Sequence, residues 1–128
     1  MQLPKNAVSW FEIPVNDFNR AKKFYAAIFE CEMPEMELGA DRLALFPYDA
    51  ERGVGGAIAQ GPDYLPSQRG SLIYLNAGND LSPVLNRVPA AGGKIELDKK
   101  PVSDQQDMGY YAIFQDTEGN RVALHSPN

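Results

Sequence analysis

Histidine is almost missing from this chain: His125 is the only one, close to the C-terminal residue Asn128. Cysteine is equally scarce. Cys31 stands alone, so it closes no intramolecular disulfide and implies no oxidising compartment, and a cytoplasmic location is expected. No apolar run approaches the roughly 18 to 20 residues that span a bilayer, so no membrane partner is expected. The opening Met1-Gln2-Leu3-Pro4-Lys5 has no charged stretch leading into an apolar one, and does not read as a secretory signal. Basic clusters are also lacking: none exceeds Lys22-Lys23 or Lys99-Lys100. With a net charge of −5 and a pI near 4.8, the chain has no positive stripe to track phosphates, and nucleic acid is excluded as an expected partner.

What is present reads as an ordinary globular composition. Hydrophobic residues make up 44% and charged residues 23% of the 128 positions, enough to bury one core, so a single domain over residues 1–128 is expected. The segment Ala7 to Val15 alternates: Phe11, Ile13 and Val15 fall on one face, Trp10, Glu12 and Pro14 on the other, which is strand periodicity. Asp17 is placed to cap a helix, along which Phe18, Ala21, Tyr25 and Ile28 recur at helical spacing. Short strands are expected at Cys31 to Met36, Arg42 to Phe46 and Val54 to Gln60, punctuated by Gly39, Pro47, Gly53 and Gly61.

The second half repeats that order. Leu72 to Ala77 reads as a strand, and Asn79-Asp80-Leu81 echoes Asn16-Asp17-Phe18. At the same spacing Val84 matches Ala21, Val88 matches Tyr25 and Ala91 matches Ile28. Pro83 suits a first helical turn, Pro89 is expected to end the regular helix early, and Gly92-Gly93 supplies its left-handed cap. Strands are expected at Lys94 to Leu97, Gly109 to Gln115 and Arg121 to Ser126, the last two joined by Asp116-Thr117-Glu118-Gly119-Asn120. The chain therefore reads as an α+β fold of two βαβββ modules, about 6–61 and 70–127, with Tyr64 to Gly70 as the linker. A sheet with one helix buries only its helix side, so two such sheets are expected to curve around a shared cleft. Alternation then turns Trp10 and Glu12 inward, together with Leu72, Tyr74 and Asn76, and with Arg121, Ala123 and His125. For the strand before them, the sequence does not choose between Tyr110, Ala112, Phe114 and Tyr111, Ile113, Gln115 as the inward set.

At these residues the chain resembles a known superfamily. Trp10 to Asp17, followed by Arg20-Ala21 and Phe24-Tyr25, is similar to the opening of the vicinal oxygen chelate proteins, relatives of glyoxalase I, bleomycin-resistance proteins and extradiol dioxygenases. Ala90-Ala91-Gly92-Gly93 resembles the end of their second helix, and Phe114 to His125 resembles their last hairpin, with its aspartate, two variable positions and Gly-Asn. The resemblance implies paired βαβββ modules, a homodimer and a small-molecule pocket. It also implies four metal-ligand positions, and carried over they fall on Trp10, near Ala59, on Leu72 and on Ala123. None of these side chains binds a metal. A two-histidine site within one chain is impossible with His125 alone, so neither a metal nor another cofactor is expected.

Trp10 reads equally as a stacking wall for a planar ligand or as a residue filling a cleft the metal has vacated. Glu12 and His125 sit two residues along from vacated ligand positions. A carboxylate beside an imidazole is a general-base arrangement, and a structural hydrogen bond or a merely exposed terminal histidine is the plainer alternative. Tyr74, Asn76 and Arg121 offer polar points in an apolar pocket. Residues 103–109 read as an ordinary solvated loop or as a lid. The leading expectation is metal-independent binding of a small organic molecule, contacted by Trp10, Leu72, Tyr74, Asn76, Arg121 and Ala123. The alternative is a lyase or isomerase using Glu12 and His125, or an unconventional metal site. A third possibility is a dimeric interaction module whose cleft is filled.

Overall fold

A computed structural model describes residues 2–128. Each half of the chain forms one four-stranded sheet and one helix. β1 (Trp10–Pro14), α1 (Phe18–Phe29), β2 (Glu35–Leu38), β3 (Asp41–Leu45) and β4 (Gly55–Gln60) form the first module. β5 (Tyr74–Asn76), α2 (Ser82–Ala91), β6 (Lys94–Pro101), β7 (Tyr110–Gln115) and β8 (Arg121–Ser126) form the second. The sheets have the orders β1-β4-β3-β2 and β5-β8-β7-β6, so the repeat read in the sequence is a repeat of topology. In each, the first strand runs parallel to the last and the remaining pairs are antiparallel, giving two mixed sheets that do not close on each other. No helix among the described residues is long and apolar enough to cross a membrane.

Local chemistry sets the element ends. The Asp17 carboxylate accepts the Arg20 N–H at 3.1 Å and starts α1, whose stripe Phe18, Ala21, Phe24, Tyr25, Ile28 is buried. Several expected boundaries differ, and β5 is shorter than expected, running from Tyr74 to Asn76. β1 starts at Trp10 rather than Ala7, because Ala7 to Ser9 are exposed and unpaired with the sheet. β2 starts at Glu35 rather than Cys31: the chain leaves α1 through a left-handed Glu30, with the Cys31 N–H still bonded to the Ala26 carbonyl, and sends Met33 into the core before pairing begins. Pro89 does not end α2 early. The helix runs to Ala91, since a proline only one turn from the end removes a single hydrogen bond there and Gly92, at φ 108°, closes the helix through the Pro89 and Val88 carbonyls. β6 continues past Leu97 to Pro101 as a charged edge strand, with Lys99 paired to Asp80 at 2.9 Å and lying 4.9 Å from the Tyr110 ring.

One core spans both modules. Ile13, Ile58, Phe24, Tyr25, Val88, Phe114 and Leu124 belong to the same buried cluster, so the helix side of each sheet packs on the helices and on the other module's core. The α1 and α2 helices touch each other, and Phe24 of α1 lies 5.8 Å from the Phe114 ring of β7. Burying side chains of this size stabilises by about 1.5–3 kcal/mol each. Phe11, Ile13 and Val15 face this core, which turns Trp10 and Glu12 to the open face of the first sheet, in the phase the alternation indicates. Ala112 and Phe114 are in the core too, so the choice left open by the sequence falls on Tyr111, Ile113 and Gln115 for the open face of the second sheet. There they lie opposite His125, Ala123 and Arg121.

Candidate functional site

The α1 and α2 helices join the two modules, and the second module's loops also reach the two ends of β1, which meet different chemistry. At its C-terminal end the hairpin loop between β7 and β8 reaches across and clamps the first module. Asp116, 5% exposed, accepts the Tyr25 hydroxyl at 2.7 Å, the Asn120 side-chain N–H at 3.0 Å and the backbone N–H groups of Glu118 and Asn120. Asn120 donates its second amide hydrogen to the Pro14 carbonyl at 2.7 Å and accepts the Ser67 N–H. Glu118 accepts the Asn16 and Asp17 N–H groups and the Arg20 guanidinium at 2.8 Å, with its own side chain fully shielded from solvent. Burial pushes its carboxyl pKa up, but the Arg20 guanidinium and the N–H donors outweigh it and hold the value below the usual carboxylate range. Burial, then the Asp116 charge and hydrogen bond, drive the Tyr25 phenol well above its ordinary value. These groups satisfy one another completely. The Asp-Thr-Glu-Gly-Asn run is thus a structural clamp between modules.

Toward the N-terminal end of β1 there is a cavity instead. It has a volume of about 720 Å³, within the usual span for small-molecule sites, and it lies between Phe11, the start of β4 and the β5 segment. Leu72, Tyr74 and Asn76, three residues singled out in the sequence, line it. Phe29, Phe46, Tyr48 and Cys31 line it as well, and none was singled out as a site residue. Phe29 and Phe46 come from a helix end and a strand exit, where periodicity marks them as core; no local signal separates a cavity wall from a core position.

Trp10 lies next to this cavity, with its ring edge-on to Tyr48 at 6.2 Å and 39% of its surface exposed. Glu12 is engaged elsewhere. It accepts the Trp10 indole N–H at 3.3 Å and the hydroxyl of Tyr64, which the linker lays over Leu43, Ala57 and Ala59 on the open face of the first sheet. That hydrogen bond, with burial and the Glu12 charge, pushes the Tyr64 phenol up to about 12. Glu12 and Arg121 line a smaller, 180 Å³ pocket under the linker, and Arg121 is paired with Glu96 at 2.6 Å. Ala123 is fully buried beneath the open face of the second sheet, between Tyr74 and Ile113 in the ladder. His125 Nε2 lies 2.9 Å from the Met108 carbonyl; a carbonyl only accepts, so this nitrogen carries a hydrogen. Among the described residues no hydrogen bond or ion pair joins Glu12 to His125.

The metal-ligand positions implied by the resemblance fall on Trp10, near Ala59, on Leu72 and on Ala123, and none of these side chains offers a donor atom that coordinates an ion. Among the described residues, no three His, Cys, Asp or Glu side chains gather into a metal-holding group. The residues present do not fit such a centre.

Comparison with known proteins adds the following. Residues 7–124 match the family model of the Glyoxalase/Bleomycin resistance protein/Dioxygenase superfamily. Glyoxalase I from Zea mays superposes with a TM-score of 0.66 at 19% identity, covering 93% of this chain and 45% of that one, so this chain spans under half its length. A glyoxalase/bleomycin resistance protein from Albidiferax ferrireducens T118 gives 0.65 at 18% identity, over 94% and 98% of the two chains. TnmS3, an antibiotic binding protein from Streptomyces sp. CB03234, gives 0.63 at 21% identity, over 99% and 100%. At these identities the likeness is one of fold. No curated protein matches the chain.

Proposed function

The chain belongs to the glyoxalase/bleomycin resistance protein/dioxygenase superfamily, and from that premise we propose that it is a metal-independent binding protein for a small organic molecule. The observation that carries this is the 720 Å³ cavity between the modules, apolar in its walls and bounded by Leu72, Tyr74 and Asn76. A metal plays no part in the proposed function, because the positions from which the fold would present ligands carry indole, methyl and isobutyl groups. The antibiotic-binding neighbour, similar over its whole length, supports a sequestering role without chemistry. A cytoplasmic location is proposed with it: the single cysteine, Cys31, lines an apolar wall and suits a reducing compartment.

The uncharged dye Nile red tests the cavity. Saturable binding near one dye per chain is expected, with strong loss in Leu72→Trp, which fills the site. No saturable binding, or equal binding by the variant, would overturn the proposal. We also propose a homodimer, supported by the exposed apolar side chains of Trp10, Met36 and Leu38 on the open face of the first sheet. Light scattering should give twice the 14.1 kDa chain mass at micromolar concentration, and the mass of one chain would overturn it.

A further inference from the structure

Resting on the ligand-binding function proposed above, we propose that the molecule taken up by the inter-module cavity is a flat aromatic one carrying no anionic group. Five aromatic side chains line this space: Phe11, Phe29, Phe46, Tyr48 and Tyr74. Each is braced by another ring. Phe11 lies 5.6 Å and Phe29 6.2 Å from Phe46, Tyr48 packs on Trp10, and Tyr74 lies 6.3 Å from Tyr111. Ring against ring is the contact that rewards a planar aromatic guest beyond its buried area.

Two of these rings occupy space that only glycine leaves free. A Cβ at Gly56 would lie 2.2 Å from the Phe11 ring, and one at Gly55 would lie 2.4 Å from the Tyr48 ring. Gly55 and Gly56 present opposite faces of β4, so its bare start seats the Tyr48 ring beside Trp10 on the open face and the Phe11 ring on the core face, and a side chain at either position would displace one of these two cavity-lining rings. Consecutive glycines are costly in a strand, which loses packing and gains backbone entropy in the unfolded chain. Here they leave the room that the Tyr48 and Phe11 rings fill.

Charge narrows the guest further. Asp49 is the one charged side chain among the lining residues, and no Lys, Arg or His lines the cavity. The Arg52 guanidinium binds Asp49 at 2.8 Å but is itself 86% exposed and outside the lining. An anion moved into this space would lose its water and meet ring faces of like electrostatic sign, with no cation to compensate. A neutral guest avoids that cost, and a cationic one gains the ring faces. The amide of Asn76 and the hydroxyls of Tyr48 and Tyr74 supply neutral polar contacts for carbonyl or hydroxyl groups on the guest.

Competition against bound Nile red decides it, using acridine orange as the planar cation, 1-anilinonaphthalene-8-sulfonate as the aromatic anion and dodecanol as the aliphatic. Acridine orange is expected to displace Nile red at least tenfold more tightly than either of the others, and Gly56→Ala, which displaces the Phe11 ring, should weaken it while the protein remains folded by circular dichroism. Displacement by the anion or by dodecanol as tight as by acridine orange would overturn the proposal. If Gly56→Ala unfolds, Phe11→Leu removes the same wall by a shrinking change, and unchanged acridine orange binding by that variant would overturn it too. Failure of Nile red itself to bind would instead remove the ligand-binding function on which the choice of guest depends.

Discussion

The two ends of β1 solve the joining of the modules in opposite ways. At Pro14 to Asp17 the seam is polar and closed: Asp116, Glu118 and Asn120 use their polar groups on Tyr25, Arg20 and the backbone of the first module. Near Phe11 the seam is apolar and open, and leaves about 720 Å³ unfilled. Hydrogen bonds between fixed partners are directional, so the clamp sets one relative placement of the two sheets. The apolar end, where contacts carry no direction, is then free to keep a cavity without the modules collapsing into it.

Breaking the clamp should have the largest effect. Asp116→Ala leaves the Tyr25 hydroxyl buried without its partner and unties two backbone N–H groups, and a loss of about 3 kcal/mol is expected by urea unfolding. A loss under about 1 kcal/mol would show that the clamp does not hold the modules. Nile red binding should fall in the same variant under folded conditions, if the clamp is what keeps the cavity open.

Glu118→Gln is the next smaller step, expected at about 1–2 kcal/mol, because Arg20 is half exposed and solvent screens that pair while the backbone donors still find an acceptor. Its pH signature is specific. The folded carboxyl pKa is lowered, so its contribution is present above the unfolded value near ~4.3 and is lost as pH falls through the folded value. Acid unfolding of Glu118→Gln should therefore be less steep than that of the wild type. Identical acid limbs would show that Glu118 adds no pH-dependent stability.

The smallest effect is expected at Tyr64→Phe, about 1 kcal/mol or less, since it frees the Glu12 carboxylate but keeps the ring over Leu43 and Ala59. Alkaline absorbance titration isolates it. The Tyr64 phenol is pushed up to about 12 and that of Tyr25 well above its ordinary value, so both should ionise late, and the variant should lose one of these late phenols. Because the Tyr64 pKa is raised, its contribution is whole below the unfolded value near ~10 and disappears as pH rises through about 12. Tyr64 does not line the cavity, so dye binding should change little. A large loss would mean that the linker, and not the clamp, supports the open seam.

The sequence by itself determined the strand phases, the doubled βαβββ order and the lack of metal donors. These are local properties: alternation at period two and the identity of one side chain at one position survive without knowing what lies across the fold. Trp10 and Glu12 face away from the core for that reason, as do Tyr74 and Asn76. Only the tertiary structure decided what those side chains meet. Glu12 and His125 share an open-face phase in sequence, yet their hydrogen bonds go to Tyr64 and Trp10 in one case and to Met108 in the other. Tyr64 carries no periodic signal, because a linker has none, and its place over the first sheet depends on how the chain crosses between modules. The cavity is legible least of all. Phe11, Phe29 and Phe46 have the pattern of core residues, and whether a core position is filled or hollow depends on the distance between two separately folded sheets, which no local pattern encodes.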